Sequence, residues 1–296
     1  MEMKVFSHEQ CELGEGPLWS PERCSLFWVD ISRHLVFEKR LASEATRYDN
    51  CWEIKHTPTA LALVQHSAKH LWVITASGLI KLELATGKQT IAVEYQLPSG
   101  MRTNDANVGP DGKLWISTME RAPSSPAGSI FSINIKGELT PQAKHITIPN
   151  TLCWSPDNAY CYLTDSYKRI LYRAPFPDQL DSFSQFPWQK SDCSNTTYDG
   201  GAVDQQGHLW IARWGGSRID EIDSAGNTRN QYLVPALQPS SCCFGGKDYR
   251  LLFVTTALEG LSNQEKQAAP DAGKVFVMTG KAKGEEIPSF NLDQFI

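Results

Sequence analysis

One phrase recurs six times along the chain, and its spacing limits what the chain can fold into. Stretches of the type Leu-aromatic-aliphatic begin at Leu26 (LFWVD), Leu71 (LWVIT), Leu114 (LWIST), Cys161 (CYLTD), Leu209 (LWIAR) and Leu252 (LFVTT), at steps of 45, 43, 47, 48 and 43 residues. Turn residues precede several copies, as in Ser20-Pro21-Glu22-Arg23, Pro110-Asp111-Gly112-Lys113, Ser155-Pro156-Asp157-Asn158 and Gln205-Gln206-Gly207-His208. Another strand-like run follows each phrase, for example at residues 80–84, 129–133 and 170–172. Period-two alternation without a sustained helical stripe marks these runs as strands. A self-similar unit of this length with about four short strands is a propeller blade, whereas a sandwich or barrel needs no such regular spacing. The fold class expected is therefore all-β: a six-bladed β-propeller of four-stranded antiparallel blades around a central channel, with residues 1–296 as one domain. An open ring would leave a bare strand edge, so the segment around Lys4-Val5-Phe6 is expected to pair with the last blade. Residues 122–126, 176–198 and 258–272 read as loops.

Composition narrows the partners. Lys and Arg number 28 against 33 Asp and Glu, a net charge of −5, which argues against a nucleic-acid footprint. No apolar run approaches the roughly 18 residues of a spanning helix, so no membrane is expected. The first residues, MEMKVFSHEQ, lack the basic flank and apolar stretch of an export signal. A cytoplasmic chain is expected, with its eight cysteines reduced. None forms a CxxC pair, and the adjacent Cys242-Cys243 suits an ordinary disulfide poorly.

The repeat also locates a site. Counting back ten or eleven residues from each phrase gives Glu15, Asn104, Asn150 and Asp199 in blades one, three, four and five, and Ala60 and Ser241 in blades two and six. Inner strands of a propeller converge at one mouth. Two carboxylates and two amides meeting there form a hard-oxygen cluster suited to one divalent cation, without which the carboxylates would repel and lose solvation. Glu/Asn/Asp sets accept Ca, Mg, Mn, Zn or Fe(II). Each residue alone also fits a turn-capping role, as in Gly14-Glu15-Gly16-Pro17; the shared register favours the cluster. No HExxH, GxSxG, Walker loop, EF-hand loop or dinucleotide glycine pattern competes.

These residues carry a resemblance. Gly14-Glu15-Gly16-Pro17-Leu18-Trp19, Arg102-Thr103-Asn104-Asp105, Pro149-Asn150, Tyr162-Leu163-Thr164-Asp165-Ser166, Asp199-Gly200-Gly201 and Phe244-Gly245-Gly246 resemble, in order and over nearly the whole chain, the regucalcin/gluconolactonase family of sugar-lactone hydrolases. The resemblance implies a six-bladed fold with one cation in the channel, held by Glu15, Asn150 and Asp199. It implies substrate contacts from Arg102 and Asn104, with Asn104 near the cation through water. The chain departs from the pattern in places. The usual Asn-Gly is Asn150-Thr151 here, and Gly-Thr-Met is Ser117-Thr118-Met119. A substrate glutamate just beyond that Met has no aligned counterpart, since Ala122 stands there; Glu120, offset by two, is the residue expected to contact substrate in its place.

The activity implied is hydrolysis of a small sugar lactone, an aldono-1,4- or 1,5-lactone, with Asp199 as the catalytic general base. A carboxylate bound to a cation is a weak base, so a role for Asp199 as ligand alone stays open. The alternative class is a non-catalytic calcium-binding regulator of the regucalcin type.

Overall fold

Each copy of the recurrent phrase forms the second strand of a blade. The computed structural model describes residues 2–191, 193, 195–280 and 282–293. Six antiparallel sheets surround a channel lined by their first strands: Gly14–Ser20, Pro58–Val64, Met101–Val108, Pro149–Trp154, Thr197–Val203 and Pro239–Gly245. The second strands are buried on both faces, as in Ser25–Asp30 and Leu209–Trp214, because neighbouring blades pack against each side. That is why the phrase reads as a continuous apolar run rather than as clean alternation. The outer strands Gln89–Glu94 and Thr228–Leu233 face solvent.

The turn before the phrase and the last residue of the phrase have separate tasks. The turn carboxylates of Asp111 and Asp204 accept the indole N–H of Trp115 and Trp210 at 3.0 and 2.9 Å, which ties each turn to its phrase. At the phrase ends, buried Asp30 accepts the N–H groups of Glu12 and Leu13, and buried Asp165 those of Thr147 and Ile148. The segments entering the inner strands of blades one and four are thereby fixed to the strand ends beside them. Arg33 at 2.6 Å and Lys168 at 3.2 Å balance these two charges.

The ring closes as expected. Lys4–Ser7 is the outer strand of blade six, beside Val275–Thr279, with Val5 opposite Phe276. Phe6 packs edge-on against Phe253 at 4.9 Å, and Lys39 Nζ donates to the Phe6 carbonyl at 2.6 Å. Side-chain hydroxyls join successive blades: Ser240 to the Gly14 carbonyl, Thr59 to Thr103, Ser117 to the Pro149 carbonyl and Ser166 to the Tyr198 carbonyl.

Three features differ from the reading of the sequence. Blade two holds a fifth strand, Ser289–Phe290, which runs parallel to the inner strand beside Leu63 and Val64. The residues before it cross the rear of the channel, where Gly284 bridges Asp204 of blade five and residues 285–288 line the cavity; beyond the strand, Asp293 N–H reaches the Ile135 carbonyl of blade three. The segment read as a loop over 176–198 contains the outer strand of blade four, Pro187–Lys190. The 258–272 segment carries a short helix, Asn263–Ala268, started by a capping box between Ser262 and Glu265. That box is local chemistry, and no apolar stripe announces it. All eight cysteines are free, five of them buried.

Closure by the first strand predicts a large effect from a small deletion. Phe6→Ala should cost about 3 kcal/mol of unfolding free energy, as for other buried Phe truncations, and removal of residues 1–8 should cost more. Urea denaturation checks both; a truncated chain that unfolds at the wild-type midpoint would remove this strand from the closure.

Candidate functional site

The inner strands share an irregularity, and it builds the site. In blades one, three, four and five the pairing to the second strand shifts between Glu15 and Leu18, Thr103 and Ala106, Asn150 and Cys153, and Tyr198 and Gly201. A bulge adds a residue to one strand and re-aims the side chains around it. Glu15, Asn104, Asn150 and Asp199 lie at these four bulges, so positions equivalent in the sequence repeat are equivalent in space. In blades one and four the next residue is left-handed: Gly16 at φ +53° and Thr151 at φ +59°.

A hydrogen-bonded chain joins four of the expected residues. Arg102 Nη1 donates to Asn104 Oδ1 at 2.7 Å and to the Thr103 carbonyl at 2.9 Å. Asn104 Nδ2 donates to Asn150 Oδ1 at 2.7 Å, and Asn150 Nδ2 donates to Asp199 Oδ1 at 2.6 Å. Asn150 Nδ2 also reaches Ser166 Oγ at 3.0 Å. Among the described residues Arg102 makes no salt bridge, and its Nε and Nη2 donors carry no protein hydrogen bond.

Charge is concentrated here and only partly offset by Arg102. Burial, then the neighbouring Asp105 carboxylate, push Glu15 up to about 8. Burial and the charge of Glu15 push Asp199 well above the usual carboxylate range. Among the described residues neither has an ion-pair partner; Glu15 accepts only the Gly16 N–H, at 3.2 Å. Asn150 Oδ1 keeps one lone pair beyond the bond from Asn104. Two crowded carboxylates beside two amides suit a hard divalent cation, and Glu15, Asn150 and Asp199 are the residues that would hold it.

Two further residues went unread in the sequence. Asp105, next to Asn104 in the same bulge, is pushed up to about 6 by burial while backbone N–H groups pull it down. Glu259 lies at the same mouth, where its N–H bonds to the Glu12 carbonyl at 2.8 Å and its charge acts on Arg102 and Glu15. Adjacent polar residues within a bulge were the available signal for Asp105; Glu259 follows the sixth phrase, where the register count has no position for it.

Glu120 is not joined to this chain of bonds. Its carboxylate accepts the N–H groups of Ser124 and Ser125, at 3.0 and 2.9 Å, within its own loop. A second acidic group, Asp204, His208 and Glu221, lies in blade five with its ligand atoms close together. Its oxygens are already taken by Gln206 and His208 N–H, Trp210, His208 Nδ1, Asn230 and Tyr232. This second group braces a turn.

Residues 13–258 match the family described as the SMP-30/Gluconolactonase/LRE-like region. The chain belongs to that family. It is 28% identical to the pentonolactonase of Haloferax volcanii, covering 96% of this chain and 95% of that one, and 29% identical to the regucalcin of Sus scrofa, covering 95% of each. A crystal structure described as a calcium-binding protein, regucalcin, from Agrobacterium tumefaciens superposes with a TM-score of 0.87 at 32% identity, over 98% of both chains. The match extends over all six blades and the four bulges.

Raised carboxylate pKa values carry a stability consequence. Between the unfolded carboxylate range and pH 8 the cation-free fold binds more protons than the unfolded chain, so its stability should fall as pH rises across that window. Urea titrations in EDTA at pH 5, 6.5 and 8 check this. Glu15→Gln should flatten the dependence, and a wild-type chain equally stable at all three pH values would contradict it.

Proposed function

We propose that this chain is a divalent-cation-dependent sugar lactonase, hydrolysing an aldono-1,4- or 1,5-lactone to the aldonic acid in carbohydrate catabolism. The half-buried Glu15 and buried Asp199 carboxylates, neither in an ion pair among the described residues and both beside an arginine with free donors, carry this reading. Lactonase names among the relatives support it.

In hydrolysis, water adds to the acyl carbon, the ring C–O bond breaks, and the ring oxygen gains a proton as a hydroxyl. A bound cation supplies Lewis-acid polarisation of the lactone carbonyl. Arg102 presents its free Nε and Nη2 donors to substrate oxygens, while its bond to Asn104 holds the guanidinium in place. Asn104 orients substrate beside it. Asp199, its carboxylate fixed by Asn150, takes the proton of the attacking water and returns it to the ring oxygen. Glu120, bound to its own loop, is assigned to substrate contact at the rim of the mouth, opposite Met101 in the blade-three pairing.

Assay against a panel of 1,4- and 1,5-aldonolactones, after EDTA treatment and return of Ca, Zn, Mg or Mn, tests the proposal. EDTA should abolish turnover and a cation restore it. Asp199→Asn should lower kcat by 10²-fold or more, in line with loss of a general base, while Asp199→Ala should also lose the cation. Arg102→Lys should raise KM with the cation retained. Asp199→Asn turning over at the wild-type rate would leave that residue a ligand only. Regucalcin relatives favour one other reading, a calcium-binding regulator. Tight calcium binding with no turnover of any lactone would establish it instead.

A further inference from the structure

We infer that Asp105 and Thr151 are positioning residues, which hold the proposed cation ligands Asn150 and Asp199 in register from behind the site; the inference rests on the cation-binding part of the proposal above.

Thr151 occupies a position that suits glycine. Its φ of +59° matches the +53° of Gly16 at the equivalent place in blade one, and a β-branched residue rarely adopts that conformation. Such strain persists only where the surroundings enforce it. What threonine adds is a hydroxyl, and that hydroxyl donates to the Asp199 carbonyl. One side chain thus spans from the residue after Asn150 to the main chain of Asp199, across the junction of blades four and five.

Asp105 grips the same turn from blade three. Its Oδ2 accepts the Leu152 N–H at 3.2 Å, two residues beyond Asn150. Its own N–H donates to Ser117 Oγ at 2.9 Å, and that hydroxyl donates to the carbonyl of Pro149 at 3.0 Å. The turn carrying Asn150 is therefore held at Pro149, Thr151 and Leu152, on both sides of the ligand. Asp105 lines a channel cavity of about 320 Å³ together with Leu152 and Gly201, whereas Arg102, Asn104, Asn150 and Asp199 do not. Its carboxylate thus stands between this cavity and the ligands, where its charge also acts on Glu15 and Asp199.

Thr151→Val keeps the branched shape and the strained backbone but removes the hydroxyl; Thr151→Ser keeps the hydroxyl. Calorimetric titration of the EDTA-treated full chain with CaCl₂, and separately with MnCl₂, reads the effect without any lactone. Loss of a partner that orients a ligand typically costs 10–100-fold in metal affinity, and that loss is expected for Thr151→Val and Asp105→Asn, with Thr151→Ser within about threefold of wild type. Calcium and manganese binding at wild-type strength in Thr151→Val overturns the inference, as does Thr151→Ser binding as weakly as Thr151→Val. Should Asp105→Asn fail to fold, the threonine pair decides alone. A wild-type chain that binds cation but turns over no lactone ends the catalytic reading, and the affinity comparison still decides this one. A wild-type chain that binds neither ion overturns both.

Discussion

Everything at the channel mouth depends on the ring being closed. Glu15 and Asp199 come from blades one and five, far apart in sequence, and they meet because six inner strands share one axis. Blade six sets that geometry. Three of its strands come from the end of the chain and the fourth, Lys4–Ser7, from the beginning, so the first blade is placed against the last by hydrogen bonds rather than by a peptide link. Without that strand, blade six would present a bare edge and Phe253 would lose the ring of Phe6.

Within the closed ring, the bulges convert a regular scaffold into a site. Regular pairing would give every blade the same alternation of inward and outward residues. The shifts at Glu15, Asn104, Asn150 and Asp199 break it at one level and turn polar side chains toward each other. The cost is two carboxylates crowded together with Arg102 as a partial counter-charge, an arrangement the fold tolerates where a cation can supply the rest.

The fold was legible because its signal was periodic. Six phrases at nearly equal steps gave the blades, and the need to satisfy a strand edge gave the closure. Non-periodic pieces were illegible: the Asn263–Ala268 helix depends on one capping box, and the Ser289–Phe290 strand on a parallel pairing to residues more than two hundred positions earlier. At the site, register pointed to the four bulge positions but could not separate Asn104 from its neighbour Asp105, because only the bulge brings both into play. Glu120 shows the opposite limit. Its nearness in sequence to an expected glutamate carried no information about its loop, where two serine N–H groups hold its carboxylate. Thr151 was visible as a departure from pattern, yet the purpose of its hydroxyl needed the third dimension.

The segment at the rear of the channel has a mechanical consequence. Gly284 is bonded to blade five and Phe290 to blade two, which stand opposite each other in a ring of six. A ring joined only along its circumference can deform into an ellipse, drawing some opposite blades together while others part. A tether stretched across the diameter resists that distortion. Phe290 anchors one end firmly: its side chain is buried, and its carbonyl accepts the Trp72 indole N–H at 2.9 Å. Blade two contributes none of the four polar residues at the bulges, but as an abutment for this tether it helps keep the distances among them constant.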